Sequence, residues 1–244
     1  MTPSTPYNLQ HLLLLDIETV PQYQHFEELP EEWKALWADK ISKTMPENFS
    51  AAEWYPHRAG VMAEFGKIIC ISTGFFYYDK ANRLCFRIKS YYHADEKQLL
   101  REFAQKLESF HQSVPGFHFA GHNIKEFDIP YISRRFLINE LALPGFMQFS
   151  GKKPWETNMI DTLQLWKFGD FKNYTSLKLL AACLGIETPK DDIDGSQVKD
   201  VYYVEKNMNR IVSYCRKDVI TVAQIILRFL NQPLLPVSNI FIAD

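Results

Sequence analysis

The hydrophobic pattern of this chain changes period along its length, and each change marks an element. His11 to Ile17 contains an unbroken apolar run, Leu12 to Leu15, that turns acidic at its end. Such a run predicts a short strand buried on both faces. Lys67 to Tyr78 and Leu84 to Tyr92 predict a second and a third strand. Beyond Asp95, apolar residues recur at three- and four-residue spacing: Leu99, Leu100, Phe103, Leu107 and Phe110. That period predicts an amphipathic helix over Glu96 to His111, with Asp95 as its N-cap. Phe117 to Ala120 predicts a short strand running into the turn Gly121-His122-Asn123. A helix follows from Ile129 to Asn139, with Pro130 tolerated in its first turn. Met159 to Leu163 reads as a strand, and Ser176 to Leu184 as a helix stopped by Gly185. A long helix from about Glu205 to Leu230 closes the pattern.

Strands, a helix, a strand and then helices indicate an α/β sandwich around a mixed sheet. The expectation is five strands flanked by helices, the first of them an antiparallel meander, in a single domain over residues 1–244. Two regions fall outside this plan. Pro21 to Gly60 is an insertion after the first strand, and its Trp33, Trp37 and Trp54 are expected to form a small core of their own. Gly145 to Thr157 is a loop carrying Lys152, Lys153 and Trp155.

Composition narrows the class. Hydrophobic residues make up 46% of 244, enough for a substantial core. Lys and Arg total 27 against 29 for Asp and Glu, a net charge of -2. Near-neutrality argues against a protein that coats nucleic acid, which is usually basic. It leaves room for an enzyme that grips a few nucleotides, because bound divalent metals supply positive charge where phosphates sit. Cys70, Cys85, Cys183 and Cys215 share no CxxC spacing, so a reducing cytoplasm is expected and a structural zinc site is not. Met1 to Gln10 is polar and does not read as a signal peptide, and the run Leu12 to Leu15 is too short to cross a membrane.

Three acidic landmarks carry the candidate chemistry. Asp16-Ile17-Glu18 closes the first strand; two residues apart, its carboxylates project to the same face. Asn123-Ile124-Lys125-Glu126-Phe127-Asp128 leads into Ile129-Pro130-Tyr131-Ile132. Tyr214 and Asp218 stand four apart on the last long helix and share a face. Each motif alone reads as an ordinary strand end, helix cap or core tyrosine. Four carboxylates and a phenol in this order form a kit for holding two divalent ions about 3.5–4 Å apart. An all-oxygen donor set favours Mg²⁺ or Mn²⁺. An ordinary phenol is a poor base at neutral pH, so Tyr214 would orient a water.

This ensemble resembles the DEDD 3′-5′ exonucleases of the ribonuclease H-like fold. Tyr214, four before Asp218, is similar to the tyrosine subclass of that group; Ser213 stands where the histidine subclass needs His. Asp16-Ile17-Glu18-Thr19, Asn123 through Ile132, and Tyr214-Cys215-x-x-Asp218 resemble the three motifs of the proofreading exonuclease domain of family B DNA polymerases. The likeness spans about residues 11 to 230. It implies that Asp16, Glu18, Asp128 and Asp218 hold two metal ions. It also implies that Glu18 and Tyr214 orient the nucleophilic water, and that 5′-nucleotides leave from 3′ ends. The implied partner is single-stranded DNA or a frayed 3′ end, with RNA as the alternative. A binding module that has lost catalysis would lack a carboxylate, and none is missing. No polymerase domain follows, so a stand-alone protein is expected.

Asn123 and Phe127 are candidate contacts for terminal nucleotides, since an aromatic can stack on any base. Phe127 could equally be core. Arg134, Arg135, Lys152 and Lys153 could meet phosphates or form a solvated face. His122 reads as a hydrogen-bonded strand-end histidine, Asp161 as a support or a strand end, and Cys215 as a packed thiol. Asp191-Asp192-Ile193-Asp194-Gly195 lacks the spacing and closing Glu of a calcium loop and reads as a solvated turn.

Overall fold

The computed structural model describes residues 8–153, 156–170, 172, 174–187 and 193–243. In chain order its principal elements are β1 (Leu12–Pro21), α1 (Glu31–Ile41), α2 (Ala51–Arg58), β2 (Gly66–Tyr78), β3 (Leu84–Tyr91) and α3 (Glu96–Ser113). They continue with β4 (His118–Gly121), α4 (Asp128–Ile138), β5 (Met159–Asp161), α5 (Thr162–Lys167), α6 (Leu177–Cys183), α7 (Val198–Asp200), α8 (Met208–Phe229) and β6 (Ile240–Ala243).

One mixed sheet runs in the order β5-β4-β1-β2-β3-β6. The meander β1-β2-β3 is antiparallel, while β4 joins β1, β5 joins β4 and β6 joins β3 in parallel. The sheet therefore has one strand more than the five expected. The extra strand is the apolar tail, which gains its pairing only by lying along β3, a contact that no local period announces.

Alternation along β1 divides the core. Leu13, Leu15 and Ile17 face α3 and α4, packing with Leu99, Phe103, Ile129 and Ile132. Leu12 and Leu14 face α8, packing with Val219, Val222 and Ile226. Period two then aims Asp16 toward α8. The β1–β2 register shifts between Glu18 and Thr19, which ends the regular ladder beside the second carboxylate.

Two boundaries differ from expectation for local reasons. Asp161 accepts from the N–H groups of Leu163 and Gln164, so β5 stops there and α5 begins where the strand was expected to continue. Lys206 adopts φ 53, which interrupts the last helix; α8 restarts at Met208, capped by Asn207.

The segment after β1 folds over α1 and α2 around a small core of Leu29, Trp37, Ile41, Tyr55, Ala59 and Phe65. Ser50 and Glu53 form a capping box that starts α2. Trp37 is fully buried and donates to the Ala51 carbonyl at 2.8 Å, and Trp54 packs at the edge of this core. Trp33 is different: it is 40% exposed, with one edge against Phe65. Trp155 lies outside the described residues.

Candidate active site

The end of β1 is where the three motifs meet. Asp16 and Glu18 arrive on the strand. Ligand-capable atoms of Asp16, Glu18 and the Cys215 thiol all lie within 4.8 Å of one another. Asp128 is the first residue of α4 rather than its cap, and its Oδ1 accepts from the N–H of Ile17 at 3.2 Å. Helix α8 brings Tyr214 and Asp218, which line one cleft with Asp16. The five expected site residues are thus assembled from β1, α4 and α8.

The electrostatics are those of anions crowded out of water. Burial, then the nearby Asp218 and Asp128 carboxylates, hold Asp16 well above the usual carboxylate range. Burial, then Asp16 and Asp218, do the same to Glu18. Asp128 is pushed up to about 7, chiefly by burial. Tyr214 is also driven upward, by burial and by Asp218, Glu18 and Asp16. The Oδ2 atom of Asp16 is buried with no hydrogen-bond partner. An orphaned carboxylate oxygen among other carboxylates is costly unless a cation completes it. The carboxylates of Asp16 and Glu18, with Asp128 and Asp218 beside them, therefore fit a site for a divalent cation.

Cys215 is buried and its thiol lies 3.5 Å from the Asp16 carbonyl oxygen. The same burial raises its pKa, so it remains a thiol here.

Supporting residues fix the frame. Asn123 sits at φ 63 in the turn after β4, and its N–H donates to Asp161 at 2.9 Å. Asp161 also accepts from Lys125 and starts α5, so one carboxylate organises the turn that delivers Asp128. A side chain at Gly121 would put Cβ 2.8 Å from that of Ile124 and 2.9 Å from the Leu15 carbonyl, so this close approach of β4 to β1 requires glycine. His122 bonds Thr162 at 3.0 Å and the Thr175 carbonyl at 2.9 Å, and burial lowers its pKa; it ties the start of α5 to the segment before α6.

Two clefts adjoin the carboxylates. One, of about 370 Å³, holds Asp16, Asp218, Tyr214, His122, Tyr174 and Lys178. The other, of about 380 Å³, holds Glu18, Phe127, His57, Val61 and Lys199. Phe127 is half-buried, 5.5 Å from the Tyr131 ring on one side and open to the second cleft on the other. Lys178, Lys199, Tyr174 and His57 carry no motif, and only the fold collects them. Arg135 is no surface cation: it is buried in an ion pair with Glu96, while Arg134 is exposed. Lys152 places its ammonium 5.5 Å from the Phe149 ring centroid, and Lys153 accompanies it in the exposed loop. Asp194 is exposed and closes its own turn with Ser196; Asp191 and Asp192 lie outside the described residues.

A family model described as the RNase H superfamily matches residues 58–229. The chain belongs to the RNase H superfamily. Its fold is also similar to a family B DNA polymerase from the hyperthermophilic archaeon Pyrobaculum calidifontis, with a TM-score of 0.52 at 14% identity. That likeness covers 90% of this chain and 24% of the polymerase, so the chain spans about a quarter of its length. No curated protein sequence matches the chain. Among the described residues no helix is long and apolar enough to cross a membrane. Membership in the RNase H superfamily and the carboxylate cluster together support nuclease chemistry.

Proposed function

We propose that the chain is a metal-dependent 3′-5′ exonuclease that releases 5′-nucleotides from the 3′ ends of single-stranded DNA. One observation carries this reading. The half-buried Asp16 is gathered with the buried Glu18 and Asp128, its Oδ2 left unsatisfied, beside Tyr214 and Asp218. Asp16, Glu18, Asp128 and Asp218 would hold two divalent ions, Mg²⁺ or Mn²⁺. When bound, such ions activate water and stabilise the charge that builds on the phosphate.

The remaining work belongs to the protein. Tyr214 keeps its proton at neutral pH and acts as a fixed donor beside Asp218, so its task is orientation rather than proton abstraction. Phe127 offers a ring face to a base, and Asn123 holds the turn that aims it. Burial of the cluster lowers the local dielectric, which strengthens each of these contacts.

The test uses 5′-labelled single-stranded DNA and RNA of matched sequence, with Mg²⁺, Mn²⁺ or EDTA, and Asp16→Ala alongside. A one-nucleotide ladder shortening from the 3′ end, lost in EDTA and in the variant, is the expected result. The DNA-to-RNA rate ratio then sets the substrate. Binding without shortening of either polymer would leave a non-catalytic nucleic-acid module in place of the enzyme.

A further inference from the structure

Helix α3 covers only part of its face of the sheet. Strand pairing sets two rows across that face: Leu13, Phe75, Arg87 and Phe241, then Leu15, Thr73, Lys89 and Ala243. Burial falls along the first row. Leu13 is buried beneath α3, Phe75 is half-buried, Arg87 is exposed and Phe241 is 43% exposed. The tail strand β6 thus carries the sheet past the edge of the helix. Between α3 and the outer strands lies a groove of about 300 Å³.

The groove joins an apolar floor to a cationic rim. Phe75, Phe103, Leu107 and Phe110 form the floor. Arg87 and Lys89 of β3 and Lys106 of α3 line it too, and no carboxylate is among its described lining residues. A chain of net charge -2 has gathered only cations here. Arg87 and Lys106 are exposed, and among the described residues neither is in an ion pair.

The rings of the floor are already engaged. The Lys89 ammonium lies 6.0 Å from the Tyr91 ring centroid, Phe75 and Phe110 pack on each other at 5.5 Å, and Phe103 is 1% exposed. A base needs an open aromatic face to stack on, so the groove is a poor seat for a nucleic-acid strand. The rim calls for anions and the floor for an apolar side chain, and an acidic peptide supplies both. The groove shares no lining residue with either cleft at the carboxylates, and Asp16 faces α8 across the sheet. A segment bound there leaves the cluster open.

We propose that this groove docks an acidic peptide segment of a partner protein. One apolar side chain of the segment enters the floor, and its flanking carboxylates meet Arg87, Lys89 and Lys106. The dock tethers the chain to its partner without using any of the five site residues.

The experiment titrates the full chain into a fluorescein-labelled, aspartate-rich peptide with a central phenylalanine and reads anisotropy. Controls are the same peptide with asparagine for aspartate, the same peptide with serine for phenylalanine, and a labelled oligothymidylate. Arg87→Glu, Lys106→Glu and Ser109→Trp run beside wild type, with melting curves as a folding control. Ser109 is exposed and lines the groove, so a large ring there fills it from the surface. Wild type is expected to bind the acidic peptide saturably, more weakly as salt is raised, and both altered peptides about tenfold or more less tightly. Each charge reversal is expected to weaken binding about tenfold, and Ser109→Trp to abolish it, while all three melt like wild type. Failure of wild type to bind the acidic peptide, equal binding of the asparagine peptide, or well-folded variants that bind like wild type would overturn the dock. Oligothymidylate bound more tightly than the peptide, and lost in Arg87→Glu, would also overturn it and make the groove a nucleic-acid contact.

Discussion

The Oδ1 of Asp128 accepts a hydrogen bond of 3.2 Å from the backbone N–H of Ile17, 111 positions earlier in the chain. Ile17 lies between the two acids of β1. One carboxylate therefore both locks α4 to the strand and adds its charge to the cluster. The two roles separate on substitution. Asp128→Asn keeps an acceptor for Ile17 and should fold, while nuclease activity falls at least a hundredfold. Asp128→Ala leaves the buried N–H unsatisfied and should cost a further 1–3 kcal/mol, roughly, in chemical denaturation. Equal stability of the two variants would show that the hydrogen bond contributes nothing.

Crowding of buried acids makes the metal-free protein sensitive to base. Asp128 is pushed up to about 7, and Asp16 and Glu18 are held well above their ordinary range. Between about pH 4, where unfolded carboxylates titrate, and pH 7, the folded chain binds more protons than the unfolded one. Stability therefore falls as pH rises through this window, and the loss continues upward for Asp16 and Glu18. The melting temperature in EDTA should drop from pH 5 to pH 8. Saturating Mn²⁺ should raise it more at pH 8 than at pH 5, because cations bind the ionised cluster. A melting temperature flat across the window, with or without Mn²⁺, would mean that the carboxylates are not electrostatically coupled.

Tyr214 is held protonated by burial and by Asp218, Glu18 and Asp16. A phenol in that state can donate a hydrogen bond but cannot serve as a base. Tyr214→Phe should lower kcat by about ten- to a thousandfold, the span of a lost positioning contact. It should leave the pH dependence of the remaining activity unchanged up to about pH 9. A limb in the wild-type pH profile that disappears in the variant would instead make Tyr214 the base.

The parts of this molecule that were legible in its sequence share a cause. The run Leu12 to Leu15 ending in Asp16 and Glu18 encodes its strand and its polar end locally, as does the helix repeat from Leu99 to Phe110. Carboxylates at strand ends and on one helix face were likewise readable, and β1, α4 and α8 bring them together. What escaped depends on partners distant in the chain. β6 exists because Phe86 to Lys89 lie beside it, and no periodicity in the tail shows this. Lys199 and His57 reach the Glu18 cleft from segments without a motif. Arg134 and Arg135 look alike in sequence, yet only the second turns inward.

That inward turn is a stability device. The Arg135 guanidinium pairs with Glu96 of α3, and its Nε donates to Glu96 Oε1 at 2.9 Å. It also donates to the Ala63 carbonyl, between the insertion and β2, and to Gln22. Glu96 in turn accepts from the Ile68 N–H at 2.7 Å and from Asn139. Both side chains are buried, at 6% and 8% exposure, so neither charge can fall back on water. Removing one partner strands the other, which typically costs about 3–5 kcal/mol. Arg135→Ala should therefore lower the unfolding free energy by that amount, whereas Arg134→Ala, at an exposed position, should stay within about 0.5 kcal/mol of wild type. Arg135→Ala combined with Glu96→Ala should be less destabilised than the sum of the singles, because no lone charge remains. If Arg135→Ala unfolds like wild type but binds single strands weakly, Arg135 would be a phosphate contact after all.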